Sequence, residues 1–262
     1  MLINNGFIHV VSYDVEKPLA TIVFMHGIAE HHMVHMDMIK YFNKNKINVL
    51  AFDLRGHGRS GGKRGDIDRL ETFITDLEEI MKYARSKYHS KLFILGHSMG
   101  ALIANLYAID NKVDGVIVSG ATGDFAKYTN ILRVVPAKFI WFKKIKTNFQ
   151  DPQLGEKVLT KEEVLDDPYL LDYFHINLIG QTMIKGVRKL KKGMSKITSP
   201  YLILHGEKYK LAPPESNLVL YEGINSKDKT RIVYPELYHN VLSDYTSNKV
   251  HENIVEWIKE RI

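Results

Sequence analysis

Six short runs rich in aliphatic, aromatic and β-branched residues set what this chain can fold into: 20–25, 48–52, 91–95, 115–118, 201–204 and 229–234. Most show no apolar/polar alternation. A strand that is covered on both faces has that pattern, whereas a strand with one wet face alternates. Each run ends at a residue that breaks or turns the chain, such as Gly27, Asp53, Gly96, Gly120, Gly206 or Pro235. The expectation is a mostly parallel sheet, buried between layers of helix.

The intervening segments have crossover length and helical periodicity. Residues 32–45 point Met36, Ile39, Tyr41 and Phe42 towards a core, and 70–88 repeat Phe73, Leu77, Ile80, Met81 and Ala84 at spacings of three and four. Helices are also expected at 99–109 and 249–262, the latter with Ile254, Val255 and Ile258 on one side. Residues 6–13 would add an antiparallel edge strand. This alternation defines an α/β class with helices on both faces of the sheet. It fails between 121 and 198, where Pro136, Pro152 and Pro168 punctuate short helical pieces. The chain therefore divides into a first core part (1–120), an inserted helical cap (121–198) and a second core part (199–262).

Composition removes several functions. With no Cys among 262 residues, disulfides, thiolate metal sites and a cysteine nucleophile are excluded. The net charge of +6 is concentrated: 124–196 hold 14 Lys/Arg against 8 Asp/Glu, and the remainder is neutral. No nucleic-acid reading motif accompanies it, and the basic run 189–192 reads as a solvated helix face. Residues 92–109 carry no Lys, Arg, Asp or Glu, yet Gly96, His97, Ser98 and Gly100 stand at the centre, where a membrane span of about 20 apolar residues would not place them. The first twenty residues lack a basic-then-apolar export signal, so a cytoplasmic location is expected.

That uncharged stretch carries the chemistry. Gly96-His97-Ser98-Met99-Gly100 is a G-x-S-x-G turn with a strand before it and an apolar helix after it. Such a turn lifts Ser98 above the sheet edge as a candidate nucleophile, over a helix N-terminus that favours negative charge. His26-Gly27-Ile28 ends an earlier strand, and the amides of Ile28 and Met99 would form an oxyanion hole. His239 follows the last strand by five residues, where a loop can return a base to Ser98. His31 and His35 have metal-capable spacing but lack a third-ligand motif, so neither metal nor cofactor is expected.

Together these residues resemble the α/β-hydrolase family of monoacylglycerol lipases and lysophospholipases. His26-Gly27-Ile28-Ala29-Glu30-His31 resembles its oxyanion loop, 53–60 its next strand-end motif, Gly96–Gly100 its elbow, Asp167-Pro168 a cap landmark and 197–206 the return to the core. The resemblance implies a serine ester hydrolase acting on a fatty-acyl ester such as a monoacylglycerol or lysophospholipid. A short-chain carboxylesterase, a thioesterase, an acyltransferase and a degenerate lipid- or partner-binding hydrolase share the same elbow. One position departs from the pattern. The family's triad acid stands three residues after the Gly of its last motif, and here that residue is Tyr209. Three explanations stand: Glu207 reaches His239, Asp124 supplies the acid from the neighbouring strand, or the acid is absent and turnover impaired. In the insertion, Ile131, Val135, Phe139, Trp141 and Phe142 lie among Lys138, Lys143, Lys144 and Lys146. They read either as a cap helix on its own core or as a lipophilic lid with a basic rim for anionic membrane or micelle. The sequence leaves the oligomeric state open.

Overall fold

The computed structural model describes residues 1–125, 140, 142–149, 166–209, 214–243 and 247–262. Each of the six runs forms a strand. In chain order the elements begin with β1 (Leu2–Ile3), β2 (Gly6–Phe7), β3 (Val10–Tyr13), β4 (Ala20–Met25), α1 (Met36–Lys44), β5 (Ile47–Phe52) and α2 (Leu70–Lys87). There follow β6 (Lys91–His97), α3 (Met99–Ala108), β7 (Gly115–Ser119), β8 (Lys144–Lys146) and β9 (Tyr173–His175). Then come α4 (Ile176–Ile179), a π-helical stretch (Gly180–Gly186) and α5 (Val187–Gly193). The chain finishes with β10 (Tyr201–Gly206), α6 (Pro214–Gly223), β11 (Lys229–Tyr234) and α7 (Asn248–Lys259).

The central sheet has seven strands in the order β11-β10-β7-β6-β4-β5-β3. All pairs are parallel except β3 with β5, so the expected edge strand is antiparallel, although a break at residues 8–9 confines it to Val10–Tyr13. β4, β5, β7 and β10 are buried at every residue, and β6 at all but Lys91, which accounts for their lack of alternation. One face packs Ile22, Phe24, Phe93 and Leu204 against α1 and α7, whose core residues include Ile39, Phe42, Ile254 and Ile258. The other packs Val23, Met25, Leu50 and Ile94 against α2 and α3 through Phe73, Leu77, Ile80 and Ile103. Met36 and Tyr41 are partly buried and pack against this core as expected, and Met38, not named from the sequence, joins it fully buried. α6 was not legible in the sequence. Among the described residues, no helix is long and apolar enough to cross a membrane.

Of the expected insertion, 121–125, 140, 142–149 and 166–198 are described. Ile131, Val135, Phe139 and Trp141 lie outside the described residues. What is described is tied to the sheet's C-terminal edge: Leu171 N–H donates to Ala29 O at 2.9 Å and His175 N–H to Gly65 O at 2.7 Å.

Candidate active site

β6 runs to His97, and at Ser98 the backbone swings to φ 52°, ψ −113° before α3 begins. A positive φ in a β-substituted residue costs about 1–3 kcal/mol and persists only where the surroundings over-determine it. They do so here. Ser98 N–H still donates to Ser119 O of β7 at 2.8 Å, and all ten residues of α3 are buried. Gly100 makes the close approach possible, since a Cβ there would stand 2.5 Å from Met25 O and 2.6 Å from His26 O. Ser98 is consequently held, half-exposed, at the C-terminal end of the central strands.

His239 reaches it from the far end of the chain: Nε2 lies 3.0 Å from Ser98 Oγ. The residue is 8% exposed. Burial, helped by the neighbouring His97 and His205, holds its imidazole well below the ordinary histidine value, with Glu30 acting in the opposite sense. It is therefore neutral near pH 7 and able to accept a proton at Nε2. Gly120, at φ 61°, leaves room for the ring: a Cβ there would come within 2.7 Å of His239 Cε1 and 2.9 Å of Nδ1.

Nδ1 is where the acid belongs, and among the described residues it has no hydrogen-bond partner. Tyr209 is at the site but does a different job. Its ring stacks on the imidazole, with centroids 4.2 Å apart and planes inclined by 27°. The two other candidates do not reach. Glu207 is exposed, and Asp124 Oδ1 pairs with Lys191 Nζ at 2.7 Å and accepts from Phe125 N–H at 2.8 Å. Both side chains lie at the surface, and neither is hydrogen-bonded to His239 Nδ1.

Met99 opens α3 directly after Ser98, and Ile28 stands in the loop after β4 next to Gly27, on which a Cβ would lie 3.2 Å from Ser98 Cβ. Ile28 packs in an apolar cluster with Phe125, Ile140, Phe174 and Met183 around buried Ile179 and Ile184. Phe142 is apart from it, 58% exposed. His31 and His35 do not converge: His31 Nε2 pairs with Asp167 Oδ2 at 2.8 Å, and His35 Nε2 with Glu30 Oε1 at 3.0 Å. The sequence reading missed a different set, His9, His32 and Asp53, whose ligand atoms lie within 4.8 Å of one another. Asp53 is already engaged there with His32 at 2.7 Å and with the Arg59 N–H at 2.8 Å. Glu30, His35 and His97 each stand in a segment read from the sequence, but no short-range pattern marked them as packed together.

Comparison with known proteins agrees with this geometry. Residues 16–246 match the family model Hydrolase_4, described as serine aminopeptidase, S33. The chain belongs to this family. It is 27% identical over 260 residues to a monoacylglycerol lipase of Mycolicibacterium smegmatis, covering 95% of this chain and 92% of that protein. It is equally 27% identical to a monoglyceride lipase of Rattus norvegicus, over 94% and 84% of the two chains. A longer abhydrolase domain-containing protein of Dictyostelium discoideum is 29% identical, and the chain spans only 27% of its length. Among solved structures, a Paleococcus ferrophilus monoacylglycerol lipase superposes with a TM-score of 0.84 at 26% identity, covering 97% of this chain and 99% of that one. The α/β-hydrolase is thus a carboxylic ester hydrolase of the monoacylglycerol lipase-like group.

Proposed function

We propose that the protein cleaves a fatty-acyl ester, such as a monoacylglycerol or lysophospholipid, through an acyl-serine intermediate. The observation that carries this reading is the 3.0 Å contact between His239 Nε2 and Ser98 Oγ at a strained strand-to-helix turn. In the forward step Ser98 Oγ bonds to the acyl carbonyl carbon as its proton passes to His239 Nε2. The amides of Ile28 and Met99 take the charge that develops on the carbonyl oxygen. The imidazolium then protonates the departing alkoxide, and a water activated by the neutral ring releases the fatty acid. Amides at a helix start lack intrahelical acceptors, which is the condition an oxyanion hole requires.

An acyl chain suits the surroundings. The apolar cluster around Ile28 offers a dry wall beside the reacting carbonyl, which favours an aliphatic acid over a peptide or sugar. The named lipases among the relatives support the same substrate class. Residues 121–198 then act as the cap. Within it, exposed Phe142 and Ile145 alternate with exposed Lys143, Lys144 and Lys146, a strip suited to an anionic lipid surface.

Turnover is expected to be slow, because nothing described holds Nδ1 of His239. The deciding experiment combines a fluorophosphonate probe with a panel of monoacylglycerols, lysophospholipids and p-nitrophenyl esters. Modification of Ser98 with fatty-acid release upholds the reading. Lipid binding with an unreactive Ser98 would make the protein a binding relative that has lost catalysis.

A further inference from the structure

Glu30 is a carboxylate in an unusual place. Its side chain is 9% exposed, and among the described residues its side-chain partner is an imidazole, His35, rather than a Lys or Arg. Burying a carboxylate is costly unless it is paired and hydrogen-bonded. Oε1 accepts from the Gly27 N–H and from His35 Nε2, the latter at 3.0 Å. It also lies close to the nucleophile: Glu30 Oε1 and Ser98 Cβ stand 2.9 and 3.2 Å from the point where a Cβ on Gly27 would lie.

Behind the elbow three rings connect this carboxylate to the base. The His35 and His97 centroids are 5.6 Å apart, and those of His97 and His239 4.9 Å. His97 is fixed in turn by Ser119 at 3.1 Å and Asn240 at 3.2 Å. The groups facing His239 are His97 from β6, His205 and Tyr209 from β10 and the turn after it, and uncharged Gly120 after β7; Glu30 acts from the loop after β4. Among these described groups Glu30 is the one carboxylate, and none is a Lys or Arg.

We propose that Glu30 is a positioning residue that makes good part of the missing triad acid: its charge acts across the buried His35 and His97 rings to stabilise the imidazolium of His239, while its hydrogen bond to Gly27 N–H holds the loop that carries Ile28. The inference rests on the reading of Ser98 and His239 as nucleophile and base. In the reacting step the proton moves from Ser98 Oγ to His239 Nε2 and the negative charge appears on the acyl oxygen. Glu30 gains and loses no proton. A carboxylate at Nδ1 would do the same work at shorter range and with a hydrogen bond, so Glu30 gives a weaker version of it.

The test is the pH dependence of Ser98 labelling by a fluorophosphonate, together with kcat/KM on p-nitrophenyl butyrate. Glu30→Gln keeps the acceptor for Gly27 N–H and removes only the charge. The acidic limb of both profiles is expected to move down by about one pH unit, with about a tenfold loss on the plateau. Glu30→Asp should leave the limb in place, and in a Tyr209→Asp background the Glu30→Gln shift should shrink. If Glu30→Gln does not fold, the pair Glu30→Gln/His35→Phe removes the carboxylate together with the ring that hydrogen-bonds to it and carries the same expectation. A uniform loss at every pH with an unmoved limb, or no change at all, overturns the proposal and assigns Glu30 to loop structure alone. An unlabelled Ser98 in the wild-type protein would instead sink the reading of the site on which it rests.

Discussion

Replacing Tyr209 by Asp probes the site most directly. The phenol stacks flat on the imidazole at 4.2 Å and leaves Nδ1 without a described partner. A carboxylate accepting from Nδ1–H would put a full negative charge about 4 Å from the imidazolium's centre, worth about 4 kcal/mol at an effective dielectric constant of about 20. That corresponds to about three pKa units and about 10³-fold in rate, inside the roughly 10⁴-fold that an orienting carboxylate commands in a serine triad. The lost ring acts on a different observable. Tyr209 is 7% exposed, so removing it should lower stability by about 2–4 kcal/mol and register in the melting temperature rather than in kcat. The assay is kcat on p-nitrophenyl butyrate from about pH 4 to 9, with thermal unfolding in parallel. The expected result is a rise in kcat of about 10³-fold, with the acidic limb moving up towards the ordinary histidine range. A folded Tyr209→Asp protein whose kcat and limb both match the wild type would refute the reasoning.

Other consequences follow from the same geometry. Glu207→Gln and Asp124→Asn should each change kcat by less than about twofold, because both carboxylates lie at the surface; a large loss in either would restore that residue as the acid. Gly120→Ala drives a Cβ into His239 at a φ of 61°, so Ser98 labelling should fall by at least about 100-fold. Stability should decline in mild acid. Burial lowers the imidazoles of His26 to about 3 and of His57 and His97 to about 4. Each therefore stabilises fully above the unfolded value near 6.5, and that contribution is lost as pH falls below it. By about pH 5 the loss is about 2 kcal/mol per residue, measurable as a falling urea midpoint; a midpoint flat from about pH 8 to 5 would contradict it. Phe142→Ser with Lys143→Glu should reduce flotation with phosphatidylserine vesicles, and unchanged flotation would discard the membrane-facing strip.

Much of the site was readable from local pattern. The elbow is a contiguous signal: a buried strand, glycines at 96 and 100, and an apolar helix dictate one turn, and the structure holds Ser98 at φ 52° there. His239 was reachable from position alone, since a loop after the last strand of such a sheet ends beside the elbow, and its Nε2 lies 3.0 Å from Ser98. The helix α6 was not readable, because Leu218, Leu220 and Tyr221 show only a weak apolar periodicity and just Asn217 and Leu220 are buried.

The amino-acid order alone determined the parallel sheet, the raised serine and the identity of the residue where the acid should stand. The strand runs and the turn at Ser98 are set by neighbours within a few positions along the chain, and the place of Tyr209 was read from the family resemblance. Only the tertiary structure decided that Tyr209 lies flat on the imidazole, that Glu207 and Asp124 stay at the surface, and that Glu30 sits buried behind the base. Those facts depend on packing between residues far apart in sequence, such as Glu30 and His239, because burial and the few ångströms between groups fix what a charge costs and which partner it stabilises.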